Sequence, residues 1–275
     1  MELLNQLTFI ERGVVAGVII GVIAPIVGAF LLVRRVSIIS ESISHITLAG
    51  ISAGVFIGTI GPVFESINPM YFGVLFALLG ALVTEQLRNV YRHFQELAIP
   101  IILSTAVGMS AIFISLARTG YNEWYSYLFG SIVSVTVSDL QFIMMTALLV
   151  ILLIGLFYKE FISISFDQEF AKVSGISIKI VNFVFALLIA LVISMSMKIV
   201  GILLVGALVV IPVATSIQLA RSFKQLVGYG IVFSQVAIAS GLYFSYQYAI
   251  ATGGMIVLMS VLLLMVILAF KKVRG

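Results

Sequence analysis

Long apolar segments follow one another along the chain and constrain its fold more than any other feature. Each segment is long enough to cross a bilayer as a helix. In lipid, backbone amides must be hydrogen-bonded inside a helix or a closed barrel, and continuous rather than alternating apolar runs favour helices. We therefore predict an all-α, polytopic membrane protein with about eight or nine transmembrane helices. The segments cover residues 13–33, 38–60, 70–87, 97–117, 139–158, 177–196, 198–219, 225–248 and 252–270.

Composition supports a membrane protein with a single domain. The chain of 275 residues is 62% hydrophobic and only 9% charged, whereas about a quarter of the residues of a soluble domain are charged. No linker or internal repeat divides residues 1–275, so we expect one transmembrane domain. Glu2, Glu11 and Arg12 precede the first apolar run, so no cleaved signal peptide is expected. The absence of cysteine excludes disulfides and thiolate metal sites.

The basic residues predict the orientation in the membrane. If the 159–176 loop is cytoplasmic, most of the fifteen lysines and arginines fall on that side, and only Arg12, Arg118 and Lys198 lie outside. This positive-inside pattern predicts a cytoplasmic C-terminus. Because the cations flank apolar runs singly or in pairs, we interpret the net charge of +4 as a topology signal and expect no nucleic-acid partner.

A polar stripe runs along the second apolar segment. Ser37, Ser40, Glu41, Ser44 and His45 recur at the spacing of one helical face, which is typical of residues that line a cavity or a path. Glu41 and His45 are about one turn apart and project from the same face. An ionised carboxylate deep in lipid costs roughly 2.5 to 3.5 kcal/mol, so this pair needs a compensating role.

Three interpretations of Glu41 and His45 remain open from the residues alone. A carboxylate oxygen and an imidazole nitrogen are ligands for zinc or manganese, and a two-fold dimer would bring two of each, enough for four coordination. Alternatively, the two side chains hydrogen-bond each other and hold helices together. In a third interpretation, Glu41 snorkels towards the interface near Arg35.

The polar segment Ser165–Ile176 predicts a short cytoplasmic helix. Ser165 and Gln168 have the spacing of a capping box, Asp167 is a second candidate cap, and Gly175 is a natural stop. Its apolar side would fit a groove on a partner protein or lie on the bilayer surface. This side is formed by Phe166, Phe170 and Val173.

The loop before the fifth apolar segment is expected to be structural. Tyr125 and Tyr127, with Tyr121 and Trp124, suit the headgroup layer. Asp139 follows Ser138 at the start of the segment, so we interpret it as part of a helix cap rather than an ion site.

Sequence motifs for enzymatic chemistry are absent. The chain has no phosphate loop of the type G-x-x-x-x-G-K-[ST], no H-E-x-x-H and no G-x-S-x-G. We therefore expect a protein that is not itself an enzyme and that has no permanently bound cofactor.

Three ordered stretches carry a family resemblance. LLVRRVSIISESISHITLAGIS, SFDQEFAKVSGI and KIVGILLVGALVVIPVATS resemble the signatures of the permease subunits of bacterial zinc and manganese ABC importers. The resemblance covers nearly the whole chain. It implies a homodimeric pore in the bacterial plasma membrane, two cytoplasmic ATPase subunits that bind ATP, and an external metal-binding protein that delivers the cation.

The resemblance also assigns residues. Glu41 and His45 match the family's metal path, although the family usually has aspartate where this chain has Glu41, so selectivity is open. The segment Ser165–Gly175 matches the coupling helix that docks on the ATPase. Its predicted coupling residues are Ser165, Phe166, Asp167, Glu169, Phe170, Val173 and Gly175.

The sequence leaves open which ion is transported. It also leaves open two functions other than that of an ABC importer permease. The stretch NPMYFGVLFALLGALVTEQLRNVYRHFQELAIPIILS resembles zinc-uptake permeases of Gram-positive bacteria and favours zinc over manganese. A secondary transporter with Glu41 and His45 as a proton relay would need no ATPase. If the protein were instead a membrane scaffold that transports nothing, a strain that lacks it would show unchanged metal-dependent growth.

Overall fold

Helices form every regular element in the part of the chain that the structure describes, as the continuous apolar runs predict. The computed structural model describes residues 6–61, 64, 67–91, 94, 97–117, 121–131 and 134–274, without the side chains of 37–39, 85, 89, 121–124 and 273–274. The helices are α1 Phe9–Val33, α2 Ser37–Gly58, α3 Met70–Val90, α4 Ala98–Ala117, α5 Tyr121–Phe129, α6 Val137–Leu156, α7 Tyr158–Phe166, α8 Gln168–Val173, α9 Ile178–Val200, α10 Ile202–Ser216, α11 Phe223–Tyr248 and α12 Thr252–Arg274.

Among the described residues, seven of these helices are long and apolar enough to cross a membrane, namely α1, α3, α4, α6, α9, α11 and α12. The other two predicted spans correspond to α2 and α10. Helix α2 has the length of a span with 22 residues, but the side chains of its first three residues, 37–39, lie outside the described part of the structure. Helix α10 has 15 residues and extends only about 22 Å, less than the roughly 30 Å of a hydrocarbon core.

A glycine separates α9 from α10. Gly201 has a φ of +80°, a backbone conformation that residues with a Cβ rarely adopt. A Cβ at this position would also lie 2.4 Å from the carbonyl oxygen of Leu128. The sequence pattern divided this region near residue 197, and the break therefore lies a few residues later than predicted.

Helix α9 is the central element, with most of its C-terminal two-thirds buried. It contacts α1, α2, α3, α6 and α10, while α2 packs chiefly on α3 and α4. The close approach of α2 to α3 depends on two glycines of α2. A Cβ at Gly50 would lie 2.5 Å from the carbonyl oxygen of Phe72 on α3, and one at Gly54 would lie 2.8 Å from the Phe72 ring.

The bundle has two ends, which we name the α8 end and the α5 end after the short helix at each. The α8 end holds the end of α1, the start of α2, the end of α3 and the start of α9, and the described cations gather there. At the α5 end the described cations are Arg12 and Lys198. The three remaining cations, Arg92, Arg118 and the side chain of Arg274, lie outside the described part of the structure. The cations of the α8 end are Arg34, Arg35, Arg88, Lys159, Lys172, Lys179, Arg221, Lys224, Lys271 and Lys272.

Candidate metal site

Glu41 and His45 face each other on the first turns of α2. His45 Nε2 lies 3.5 Å from Glu41 Oε1, slightly beyond a good hydrogen bond. The imidazole side chain is 10% exposed, whereas the carboxylate is 42% exposed. The pair therefore combines a nearly buried nitrogen ligand with an oxygen ligand that can be reached from outside the helix.

The second imidazole nitrogen has no partner. His45 Nδ1 is buried and makes no hydrogen bond within the described part of the chain. A buried polar atom without a partner costs about 1 to 3 kcal/mol, and such atoms in native structures call for an explanation. Nε2 is the nitrogen that faces Glu41, so a metal ion held between the two side chains would not contact Nδ1.

Gly206 on α10 makes room for the longer acidic side chain. A Cβ at Gly206 would lie 2.6 Å from Glu41 Oε2, closer than nonbonded atoms approach. The carboxylate therefore lies directly against the α10 backbone, in space that any other residue at 206 would fill. Gly206 could not be identified from the sequence, because no spacing rule relates a glycine to a carboxylate 165 residues earlier.

Two of the three predicted path serines, Ser40 and Ser44, are buried beside the pair. Ser40 is 2% exposed and Ser44 is fully buried, and the Ser44 hydroxyl donates to the Ser40 carbonyl oxygen at 2.8 Å. Ser44 thus satisfies its own polar group within α2. The side chain of Ser37 lies outside the described part of the structure, so Glu41 is the most accessible described member of the stripe.

One chain supplies too few ligands to enclose a cation. Within the described residues, no group of three or more histidine, aspartate or glutamate side chains is close enough to hold a metal ion. Of the described residues, Glu41 and His45 are therefore the candidate ligands that one chain offers at this position. A four-coordinate site needs ligands from elsewhere.

The predicted coupling segment forms a capped turn of helix. Asp167 is the N-cap of α8 and accepts a hydrogen bond from the Phe170 amide at 2.9 Å. The alternative capping box headed by Ser165 is wrong, because Ser165 is the penultimate residue of α7. Gly175 has a φ of +83° and follows the end of α8, as the stop signal predicted.

The apolar side of this segment points away from the bundle. Phe166, Phe170 and Val173 are 65%, 64% and 88% exposed, whereas Ala171 is fully buried against the body of the protein. Glu169 is exposed beside them. Phe166 belongs to the preceding helix, so the surface is built from two helices and not one.

A buried ion pair lies at the α5 end. Lys198 Nζ on α9 is 3.3 Å from Asp139 Oδ2 on α6, and both side chains are largely buried. Asn68 donates to Asp139 Oδ1 at 3.2 Å, and the Lys198 ammonium lies 4.9 Å from the centre of the Tyr127 ring. We name these four residues the α5-end cluster.

Two sequence-based expectations change at this cluster. Asp139 does belong to a helix cap, but the capping residue is Thr136, which exchanges hydrogen bonds with Asp139 in a capping box. Tyr127 is not a headgroup-layer residue, since it is 4% exposed beneath Lys198. Tyr125 remains 59% exposed, as expected for an interfacial ring.

Comparisons with known proteins agree with this architecture. The model of the ABC 3 transport family matches residues 6–271. The chain is 32% identical over 268 residues to a probable metal transport system membrane protein of Treponema pallidum, with 98% of this chain and 97% of that protein covered. It is also similar to the solved structure of PsaBC from Streptococcus pneumoniae in complex with Fab, with a TM-score of 0.86, 25% identity, and 99% and 97% of the two chains covered.

Two further relatives differ in the metal that their names state. The manganese transport system membrane protein MntC of Listeria monocytogenes is 29% identical over 275 residues, covering 100% of this chain and 95% of the relative. The high-affinity zinc uptake system membrane protein ZnuB of Haemophilus influenzae is 29% identical over 258 residues, covering 94% and 95%. Equal identity to the two leaves the metal undecided.

Proposed function

The chain belongs to the ABC 3 transport family, and from that premise we propose that it is the membrane-spanning permease subunit of an ATP-driven importer of a divalent metal, zinc or manganese. The observation that carries this proposal is the Glu41 and His45 pair, a carboxylate and an imidazole 3.5 Å apart in an otherwise apolar bundle. Relatives named for manganese and for zinc transport support the substrate class.

The ligand types of the site do not distinguish zinc from manganese. Carboxylate oxygen and imidazole nitrogen bind both ions, and the longer arm of Glu41 is accommodated by Gly206. Zinc is favoured only by the sequence resemblance of the third and fourth spans. The preference for zinc stays a prediction that parallel uptake of the two ions would decide.

We infer that a second copy of the chain completes the site. A single chain offers two ligands, and a two-fold axis beside Glu41 would double that number with the same residues. The 42% exposure of the Glu41 side chain supports this arrangement, because the carboxylate is accessible from outside its own helix. A site with few ligands also releases its ion readily, which suits transport better than storage.

The energy for transport would come from separate ATPase subunits docked on α8. Phe166, Phe170 and Val173 form an exposed apolar surface next to a buried anchor, the arrangement expected for a helix seated in a partner's groove. Movement of α8 would be passed to α7 and α9, which flank it, and would open and close the path in alternating access. A metal-binding protein would deliver the cation at the α5 end.

This proposal places the chain in the bacterial plasma membrane with the α8 end and the C-terminus in the cytoplasm. The gathering of cations at the α8 end supports that orientation. ATP would bind to the partner subunit, since the chain lacks a phosphate-loop motif.

Metal uptake into vesicles tests the proposal. The chain is reconstituted with its ATPase subunit, and uptake of zinc and manganese is followed in the presence of ATP. Glu41→Gln and His45→Gln should each lower uptake about tenfold to a hundredfold, because losing one ligand weakens metal binding at least as much as losing an outer-shell partner. Glu160→Gln, a carboxylate on α7 away from the pair, is the matched control.

Two outcomes would contradict the proposal. If both variants take up metal at the wild-type rate, Glu41 and His45 do not bind the transported metal. Uptake that needs a proton gradient but neither ATP nor the ATPase subunit would favour the secondary transporter.

A further inference from the structure

Aromatic rings from α1, α7, α9 and α11 meet at the α8 end of the bundle. The ring centre of Phe30 on α1 lies 5.6 Å from that of Phe161 on α7 and 4.9 Å from that of Phe223 on α11. Phe161 lies 5.8 Å from Phe185 on α9. We name these four residues the phenylalanine cluster. Phe30 and Phe161 are fully buried, and a close-packed interior of this kind transmits a displacement because it is barely compressible.

The phenylalanine cluster reaches the surface that we assign to the ATPase subunit. Phe166, an exposed member of that surface, lies 6.3 Å from Phe223 between ring centres. Helix α8 packs on α7 and α9, and each of these two helices contributes a ring to the cluster. A partner that displaces the α8 segment would therefore press on the phenylalanine cluster.

Arg34 joins the phenylalanine cluster to the end of α1. Its guanidinium lies 4.4 Å from the centre of the Phe185 ring and donates a hydrogen bond to Asn182 Oδ1. Asn182 and Phe185 are three residues apart in α9 and therefore lie on the same face of that helix. The guanidinium is thus held by a ring and by an amide, both from the first turns of α9.

A short corner connects Arg34 to the helix that carries the candidate metal ligands. The amides of Arg35 and Val36 each donate a hydrogen bond of 3.1 Å to a carbonyl oxygen in the last turn of α1. Arg35 has a φ of +55°, a strained conformation that persists only where the surroundings fix it. Helix α2 begins three residues after Arg34, and Glu41 lies in its second turn. A shift of Arg34 is therefore carried to the start of α2.

We propose that Arg34 is a positioning residue that passes movement of the ATPase-docked segment to α2 and its metal ligands. This inference rests on the proposed function, since it needs both the ATPase subunit and the metal path. Coupling between distant sites is carried by packed side chains and hydrogen bonds that contact one another. The phenylalanine cluster and the Asn182 contact form such a chain from the α8 segment to the corner before α2.

The number of metal ions imported per ATP hydrolysed tests this link in vesicles that contain the chain and its ATPase subunit. Arg34→Gln should lower that ratio about tenfold, within the range of coupling free energies between sites, while ATP hydrolysis continues. Arg34→Lys keeps a charged donor and should recover most of the ratio. Arg35→Gln removes the exposed neighbouring cation and should leave the ratio unchanged.

Asn182→Leu tests the same contact from α9. It removes the acceptor and should lower the ratio as Arg34→Gln does. Because both substitutions break one contact, the double variant should be no more impaired than either single variant. If Arg34→Gln fails to fold, Asn182→Leu decides, since it keeps a side chain of similar size at a partly exposed position.

Spin labels provide a measurement that does not depend on metal. The chain has no cysteine, so introduced cysteines place the labels at exposed positions. A label at Gln247, at the α5 end of α11, is paired with a label at Lys179 on α9 or at Arg35 in the corner. In the complex with the ATPase subunit, ATP should change both distances. Arg34→Gln should preserve the change at Lys179 and abolish the change at Arg35.

Two results would overturn the inference. One is a ratio of imported ions to ATP that stays at the wild-type value in Arg34→Gln and Asn182→Leu, even where both rates fall. The other is an ATP-dependent change of distance at Arg35 that survives Arg34→Gln. A wild-type complex that imports no metal with ATP would contradict the proposed function, and the label distances would still decide the link. If the ATPase subunit does not bind the chain, both are wrong.

Discussion

The two ends of the bundle differ in the partners that the chain provides for its buried cations. At the α5 end, buried Lys198 has the Asp139 carboxylate at 3.3 Å, and Asn68 donates to the same carboxylate. At the α8 end, Arg34 contacts Asn182 and the Phe185 ring, and no carboxylate among the described residues is paired with it. Among the described residues, the buried lysine at the α5 end is therefore paired with a carboxylate, whereas the α8 end exposes cations and apolar side chains.

The contrast extends to the short helices. Helix α5 contributes Tyr127 to the α5-end cluster, where the ring is 4% exposed. At the other end, the segment around α8 leaves Phe170 and Val173 exposed. Burying an aromatic or aliphatic side chain is worth about 1.5 to 3 kcal/mol, so this exposed apolar surface would be stabilised in a partner's groove or on the bilayer surface.

Between the ends, Glu41 and His45 are neither fully satisfied nor fully exposed. His45 Nδ1 is buried without a partner among the described residues, while Glu41 is partly accessible. A transport site must bind and then release, so incomplete satisfaction within the chain is expected there. We therefore expect substitutions at the α5 end, at the α8 end and between them to have different effects.

The largest effect on stability is expected at the α5 end. Lys198→Ala would leave Asp139 charged and buried, which costs about 3 to 5 kcal/mol and lowers the thermal unfolding midpoint of the purified protein. Lys179→Ala, an exposed lysine in the first turn of the same helix, should cost at most about 0.5 kcal/mol. The pair Lys198→Met with Asp139→Asn should recover most of the loss, because no buried charge remains. If Lys198→Ala and Lys179→Ala have the same thermal unfolding midpoint, the buried ion pair does not stabilise the protein, and the difference between the two ends is contradicted.

A large effect on assembly, with little effect on stability, is expected at the α8 end. Phe170→Asp places a charge in the proposed ATPase groove and should weaken binding of the ATPase subunit about thirtyfold or more, as for a buried aromatic anchor. The purified chain should keep its unfolding midpoint, because Phe170 is exposed. Co-purification and binding of the ATPase subunit measure the effect.

Lys172→Ala is the control for this prediction, since it changes an exposed residue of α8 outside the apolar surface. A Phe170→Asp chain that assembles and transports normally would mean that the ATPase docks elsewhere.

A smaller effect, confined to transport, is expected between the ends. Gly206→Ala brings a Cβ within 2.6 Å of Glu41 Oε2 and should displace the carboxylate, lowering metal uptake about tenfold, the scale of losing a supporting group around a metal ligand. Glu41→Asp in the same chain shortens the side chain and should restore part of the uptake. Gly228→Ala on α11 is the control, since a Cβ there has no neighbour within 4 Å. If Gly206→Ala with Glu41→Asp takes up metal as slowly as Gly206→Ala alone, Gly206 does not act by leaving room for the Glu41 carboxylate.

The sequence predicted what depends on local patterns. Helix positions follow from apolar runs, the stop at Gly175 follows from glycine's tolerance of positive φ, and Glu41 with His45 follows from helical periodicity. The cap of α8 was open between Ser165 and Asp167, because both have a suitable side chain. Among the described residues, seven helices are long and apolar enough to cross a membrane, close to the predicted eight or nine, and α10 is shortened by the break at Gly201.

Contacts between distant residues could not be predicted in the same way. Asp139 and Lys198 are 59 residues apart, and Gly206 meets Glu41 across two helices that no local rule pairs. Tyr127 was assigned to the headgroup layer because aromatic loops usually lie there, but the buried ammonium of Lys198 provides a stronger partner for its ring and hydroxyl.

The central claim, that Glu41 and His45 hold the transported metal, is tested most directly by X-ray absorption spectroscopy of the zinc-loaded full chain. The chain has no cysteine and two histidines, His45 and His93, so we expect a nitrogen and oxygen shell with imidazole scattering and no thiolate. His45→Gln should remove the imidazole signal and Glu41→Gln should lower the zinc bound, whereas His93→Gln should change neither. An imidazole signal that survives His45→Gln and disappears in His93→Gln would contradict the account.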